Sequence, residues 1–250
     1  MTDGVRELEG RVAIVTGAAR NIGRAIALDL AAAGASILVN ARSSAAEAGE
    51  VAETISAAGG KAEVVLADVC DPAAVGQLVA RAADRFGGVD ILVNNAAIRH
   101  ETAFEAMSFS EWREVVSTIL DGAFLTAQAA LPYLARSKAG AIINLGGLSA
   151  HTGAAGRAHV VAAKAGLAGL TRALAYDLAA KGVTVNCVSP GMIATERAGR
   201  EPSHHVGRQP PVGRFGTPAE VAALVRYLAG PSARYITGQT LHANGGAFMA

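Results

Sequence analysis

Short β-branched runs alternate with Ala- and Leu-rich stretches along the whole chain, and this alternation limits the fold more than any other feature. Strand candidates fall at Val12–Thr16, Ser36–Asn40, Ala62–Ala67, Asp90–Asn94, Ala141–Leu145 and Thr184–Val188, with a last one near Gln239–His242. Between them lie helical patterns at Gly23–Ala33, Ala45–Ala58, Pro72–Phe86, Ser110–Ala135, His159–Lys181 and Pro218–Ala229. Apolar residues at consecutive positions, as in Ile91-Leu92-Val93, predict strands covered on both faces, as parallel strands are. Parallel strands joined through helices need right-handed crossovers, so the expected fold is α/β with a doubly wound parallel sheet. No repeat or low-complexity linker divides the chain, which predicts a single domain over residues 1–250. The one irregular stretch, about 191–213, follows a strand on the edge where open α/β sheets bind ligands, and it is expected to be a substrate lid.

Composition removes several function classes. A formal net charge of +1 is too small to suggest a nucleic-acid or acidic-membrane partner. Cys70 and Cys187 form neither a disulfide framework nor a metal-ligand spacing, and His204-His205 has no zinc-ligand partners, so no metal is expected. The N-terminus shows no basic region followed by an apolar stretch, and the apolar runs have strand length. A soluble cytoplasmic protein is expected.

The first strand runs into Thr16-Gly17-Ala18-Ala19-Arg20-Asn21-Ile22-Gly23, after which a helix begins. A Gly-rich turn in this context lets backbone N–H groups and a helix N-terminus approach a pyrophosphate. The turn resembles the Thr-Gly-x-x-x-Gly-x-Gly of the short-chain dehydrogenase/reductase family, with Asn21 in place of the middle glycine. Asn tolerates left-handed backbone better than most residues, so the turn is expected to survive. Five further segments match the family: Asp68-Val69, Asn94-Asn95-Ala96-Ala97, Pro190-Gly191-Met192-Ile193-Ala194-Thr195, Gly213-Arg214-Phe215-Gly216-Thr217-Pro218 and Thr237-Gly238-Gln239. The resemblance covers nearly the whole chain. It implies a Rossmann-type fold with Gly17, Arg20, Asn21, Ile22, Gly23, Arg42, Asp68, Val69, Asn94, Ala96, Lys164, Pro190, Gly191, Ile193 and Thr195 around a dinucleotide.

Charge selects between the nicotinamide cofactors. An acidic residue at the end of the second strand would bind ribose hydroxyls and repel a 2′-phosphate. That position is Ala41, followed by Arg42, while Arg20 lies in the turn. Two guanidiniums converging on one phosphate point to NADP(H).

The catalytic positions depart from the family, whose usual tetrad is Asn, Ser, Tyr and Lys. Ala163-Lys164-Ala165-Gly166 matches the segment around the Lys. Four residues earlier, where one helical face would carry the Tyr, stands Val160. The Ser position is Gly147, and Ile119 stands where the family has Asn. None of the three can exchange a proton or donate a side-chain hydrogen bond. His159 and Ser149 are candidate replacements. His159 lies about 140° around the helix from Lys164, so it is either a poorly aimed acid or a buried histidine. Ser149, in extended geometry, would point to the side of Gly147 but about 7 Å further on; the alternative is a turn serine. Arg99, His100 and His151 are candidate polar wall residues of a cleft holding a small-molecule substrate.

Three functions stay open on these residues: an atypical NADP(H)-dependent oxidoreductase, a non-redox enzyme in the same cleft, and a cofactor-binding protein without activity. The intact segment from Pro190 to Thr195 favours the first. The helices Ser110–Ala135 and His159–Lys181 resemble those of the family's four-helix subunit contact, which implies a homo-oligomer, expected as a tetramer.

Overall fold

The computed structural model describes residues 6–195, 207 and 209–249. Seven strands form one parallel sheet: β1 Val12–Val15, β2 Ser36–Ala41, β3 Ala62–Leu66, β4 Ile91–Asn94, β5 Ala141–Leu145, β6 Thr184–Pro190 and β7 Thr240–Ala243. Their order is β3-β2-β1-β4-β5-β6-β7, so the winding reverses between β1 and β4. A crevice opens at such a reversal beyond the carboxyl ends of the strands.

The alternation along β1 shows why both faces are covered. Ala13 and Val15 pack with α1 (Asn21–Ala32), α2 (Ala45–Ala57) and α8 (Pro218–Ala229), through residues such as Ile26, Val51 and Val225. Val12 and Ile14 pack on the opposite face with Leu78 of α3 (Pro72–Phe86), Ala130 of α5 (Gly122–Leu134) and Leu178 of α7 (Ala158–Leu178). Successive side chains of a strand point to opposite faces, so one apolar run feeds two layers.

Two details differ from the sequence expectation. The helix anticipated over Ser110–Ala135 is α4 (Phe109–Val116), a wider π turn at Ser117–Asp121, then α5. Its winding from Phe109 to Leu134 is long and apolar enough to span a membrane, against the expectation from run lengths. Here it packs on the sheet and on α7 as a core helix, through Val115, Ile119, Ala123 and Ala127. The second difference is a short helix, α6, at Ser149–Thr152. The chain is already helical at Leu148 (φ −48°, ψ −45°), so extended geometry does not carry Ser149 to the side of Gly147.

Residues 196–206 and 208, in the middle of the expected lid, lie outside the described residues. The flanks of that stretch are joined: Ala194 N donates to Gly216 O at 2.8 Å, and Gly216 N donates to Met192 O at 2.9 Å.

Candidate functional site

The cleft at the sheet reversal has a volume of about 380 Å³ and is walled by the turn after β1, the end of β2, Asp68-Val69 and the segment after β4. Thr16 holds two of these walls together. Its Oγ1 accepts from Asn95 N at 2.9 Å and Ala96 N at 3.0 Å, and donates to Val93 O at 3.2 Å. Asn95 Nδ2 donates to the carbonyls of Thr16 and Gly17, both at 2.9 Å. From the other side, Gly17 N donates to Asn40 Oδ1 at 3.4 Å. Asn40 is buried, and its Nδ2 bonds the carbonyls of Val65 and Ala67 at the end of β3.

Within this frame the turn takes the conformation its sequence anticipated. Asn21, at φ +52°, is the one non-glycine with positive φ among the described residues. It occupies the place where the family has glycine, and Asn accepts left-handed backbone at modest cost. Gly23 is required for a different reason: a Cβ there would lie 2.2 Å from Gly17 O and 2.6 Å from Asn95 Nδ2. The first turn of α1 has no side-chain cap, and Arg20 to Gly23 line the cleft. Uncapped N–H groups at the start of a twelve-residue helix form an anion site.

Arg20 and Arg42 are exposed at the same mouth, beside Ala41, Ser43 and Ser44. No carboxylate occupies the end of β2, so the mouth suits a 2′-phosphate better than a bare ribose. These residues fit a phosphorylated dinucleotide. Gly122 brings α5 against Val69, since a Cβ on Gly122 would meet Val69 Cγ2 at 2.7 Å. That contact sets the Asp68-Val69 wall.

Several expected cofactor residues have other places. Asn94 points away from the cleft. Its Nδ2 donates to Asn144 Oδ1 at 2.9 Å, and its Oδ1 accepts from Thr126 Oγ1 at 2.7 Å. It braces β4, β5 and α5, while its neighbour Asn95 faces the cleft, as the alternation of a strand requires. Thr195 lines the cleft with Ala96. Pro190 and Gly191 hold the end of β6: Gly191 N donates to Ala243 O at 2.9 Å, and a Cβ on Gly191 would lie 2.6 Å from Asn244 Cα. Ile193 is buried and fills the space beside Gly216.

At the catalytic end, Lys164 is buried, and its Nζ donates to the carbonyl of Leu145 at the tip of β5. Burial pushes its pKa down to about 7, with the Arg99 and Arg157 guanidiniums acting in the same direction and the Cys187 thiol against it. A desolvated ammonium near like charges loses its proton more readily. One turn earlier, Val160 is buried and joins Ile119, Val115, Ala123, Ala163 and Leu167 in a separate apolar cluster. The π turn places Ile119 in it. Gly147 has open space, with nothing within 4 Å of where a Cβ would sit.

The two candidate replacement residues, His159 and Ser149, have distinct surroundings. His159 is fully buried; its Nδ1 accepts from Val160 N at 2.9 Å. Its Nε2 lies 3.4 Å from Glu111 Oε1 on α4, within ion-pair distance but outside hydrogen-bond geometry. Glu111 also accepts from the Thr102 hydroxyl. His159 thus stands at the α7–α4 packing with Nε2 beside Glu111, which is the buried-histidine alternative. Ser149 is half-buried at the start of α6. His151 packs edge-on against His242, centroids 4.6 Å apart, and both contact Phe248. Burial lowers the pKa of both histidines. His100 is exposed, 3.9 Å from Glu114.

Sequence reasoning missed Arg157, which is buried at the start of α7 three residues before Val160. A lone charge in the small-residue run from Gly153 to Ala158 was the available signal.

Comparison with known proteins extends this geometry. The family model described as "Enoyl-(Acyl carrier protein) reductase" matches residues 17–247. A 3-oxoacyl-[acyl-carrier-protein] reductase FabG of Staphylococcus aureus is 42% identical over 240 residues, covering 95% of this chain and 98% of that protein. A 3-oxoacyl-[acyl-carrier-protein] reductase of Synechocystis is 42% identical over 243 residues, 97% of this chain and 98% of that one. Among solved structures, a dehydrogenase/reductase of Sinorhizobium meliloti superposes with a TM-score of 0.93 at 35% identity, covering 98% of each chain. A short-chain dehydrogenase of Burkholderia cenocepacia in complex with NADP gives 0.91 at 36% identity, covering 96% of this chain and 99% of that one.

Proposed function

Since the chain belongs to the short-chain dehydrogenase/reductase family, we propose that it is an atypical NADP(H)-dependent oxidoreductase. It acts on a carbonyl or hydroxyl of a small organic substrate without the family's usual Ser and Tyr. One observation carries this reading: the sheet reversal forms a cleft that fits a dinucleotide, the catalytic-position Lys164 is buried, and Ile119, Gly147 and Val160, at the family's Asn, Ser and Tyr positions, offer no hydroxyl or amide side chain. The similar FabG proteins are named as 3-oxoacyl reductases and the Burkholderia relative binds NADP, which supports hydride chemistry and the choice of nucleotide.

Arg20 and Arg42 would hold the 2′-phosphate, the uncapped start of α1 the pyrophosphate, and Thr195 the nicotinamide end. When bound, NADPH supplies a hydride to the carbonyl carbon. The proton for the carbonyl oxygen comes from Lys164 Nζ. With a pKa of about 7 this ammonium is near the poise that suits proton exchange at neutral pH, and solvent reprotonates it afterwards. Val160 and Ile119 keep that end of the cleft apolar. His159 is fully buried, with Nδ1 accepting from Val160 N and Nε2 beside Glu111, and Ser149 is left to contact a larger substrate. The protein assembles as a homotetramer through α5 and α7, where Phe124 and Tyr176 are exposed.

The test is a panel of aldehydes, ketones and 3-oxoacyl thioesters with NADPH, run on the wild type and on Ile119→Asn/Gly147→Ser/Val160→Tyr. Lost general acid catalysis costs about 10²–10⁴-fold, so the wild type should be slow on ordinary ketones and the triple variant faster. Ordinary rates in the wild type would refute the atypical site. NADPH binding with no turnover of any compound would make the chain a binding protein instead.

A further inference from the structure

Three rings meet beyond the carboxyl ends of β6 and β7, apart from the residues that line the dinucleotide cleft. His151 of α6 stands edge-on to His242 of β7, centroids 4.6 Å apart. Phe248, in the turn after β7, stacks on His151 at 5.2 Å and leans on His242 at 5.0 Å. Backbone ties frame the cluster. Leu148 N donates to Pro190 O at 2.9 Å, which fixes the start of α6 to the end of β6, and Gly191 N donates to Ala243 O at 2.9 Å, which fixes the same bend to β7. Asn244 closes the turn: its Nδ2 donates to Phe248 O and its Oδ1 accepts from Gly246 N, both at 2.9 Å. On its other side the turn holds Val212, whose N donates to Gly245 O at 3.2 Å. The rings carry the contact between α6 and this turn.

The polar surroundings favour neutral rings. Val188 and Leu241 belong to the layer of α1 and α8, while Cys187 and Thr240 share a side-chain hydrogen bond on the opposite face. By strand alternation Ser189 and His242, paired in register, lie on that second face too. Ser189 Oγ and His242 Nδ1 are both buried without a hydrogen-bond partner. An imidazolium has two N–H donors to satisfy, and a proton on the buried Nδ1 finds no acceptor in place. The other titratable groups of the elements packed here are Cys187 on β6 and Arg157, His159 and Lys164 on α7. Burial keeps the thiol neutral, and among the described residues no carboxylate acts on either imidazole. We propose that His151, His242 and Phe248 form a pH-sensitive latch: neutral rings hold the C-terminal turn on α6, and protonation drives the turn off. Two cations at this separation repel each other, and neither has an anion to offset it. The turn abuts the bend after β6, where a Cβ on Gly191 would lie 2.6 Å from Asn244 Cα, so its release loosens the segment that leads to Thr195 in the cleft. The latch does not depend on the reaction assigned to that cleft.

The test is amide hydrogen exchange of the full chain from pH 7.5 to 5.5, read by mass spectrometry and normalised for the intrinsic pH dependence of exchange. Opening returns both imidazoles from their lowered pKa toward the ordinary value of 6.5, so the open form gains protons as pH falls. If the closed latch binds neither proton, opening of the turn after β7 should rise about 100-fold over that range, and about tenfold if it keeps one. Exchange in β2, far from the rings, should stay constant. His151→Phe and His242→Phe each keep three rings and remove one proton, so each should cut a 100-fold step to about tenfold. Phe248→Ala should leave the turn unprotected already at pH 7.5. A step of less than about twofold in the wild type, or one shared by β2, overturns the latch. So does a full step in both single His variants, or a turn that stays protected in Phe248→Ala. Should the His variants fail to fold, proton NMR titration of the wild-type imidazoles decides: midpoints of His151 and His242 below 6.5 support the latch, and midpoints at or above it overturn it.

Discussion

Replacing Lys164 by Met should stabilise the nucleotide-free protein, and by an amount that shrinks as pH rises. The lysine is buried, and its pKa falls from 10.5 to about 7 chiefly through desolvation. Between those values the unfolded chain binds a proton that the folded one does not, so wild-type stability must increase with pH across that window. Below pH 7 both states are protonated and the full cost of the buried charge applies. At pH 7 that cost is about 4 kcal/mol, and at pH 9 it has dropped to about 2 kcal/mol. Met fills a similar volume without charge, but Leu145 O loses the Nζ donor, which takes back about 1 kcal/mol. The variant should thus exceed the wild type by about 3 kcal/mol at pH 7 and about 1 kcal/mol at pH 9. Urea unfolding of both proteins at fixed protein concentration and ionic strength, from pH 6 to 10, reads the difference directly. A difference that stays constant with pH would show an ordinary, solvated lysine, and the argument for Lys164 as proton donor would fall with it.

Two further outcomes are expected. NADPH should bind more tightly than NADH, with a preference that weakens as salt screens Arg20 and Arg42 and vanishes in Arg20→Ala/Arg42→Ala; equal affinities in the wild type by calorimetry would remove the 2′-phosphate site. The homotetramer should survive dilution to micromolar concentration in light scattering, and Tyr176→Glu should dissociate it; a wild-type monomer would end that claim.

The fold was legible because its signals are local and repeated. Most strands announced themselves by short apolar runs rich in β-branched residues, and the parallel, two-faced sheet followed from the lack of polar alternation in runs such as Ile91-Leu92-Val93. The Gly-rich turn was legible down to Asn21, because only a few residue types accept φ +52°. What sequence spacing did not give was side-chain direction. Asn94 sits in a segment that resembles the family's cofactor strand, yet alternation sends it into the core and Asn95 into the cleft. Ser149 was placed by extended geometry, which ends at Leu148. His159 was judged by its angle to Lys164 alone, whereas its ring accepts from Val160 N and lies beside Glu111, distant in the chain and on another helix. Arg157 gives no periodic signal at all and is found only by its burial.

The aliphatic or absent side chains at Ile119, Val160 and Gly147 are better understood as two structural changes than as three. Ile119 and Val160 belong to the same buried cluster, which Val115, Ala123, Ala163 and Leu167 complete. Filling the Val160 position with a Tyr would require the facing Ile119 to shrink, since a packed core resists added volume by about 1–3 kcal/mol. Each substitution therefore depends on the other, while Gly147, with open space around it, is independent. This ordering bears on how the site is probed. Gly147→Ser adds a hydroxyl at small structural cost, but Val160→Tyr alone should disturb α4 and α7 before it contributes any chemistry.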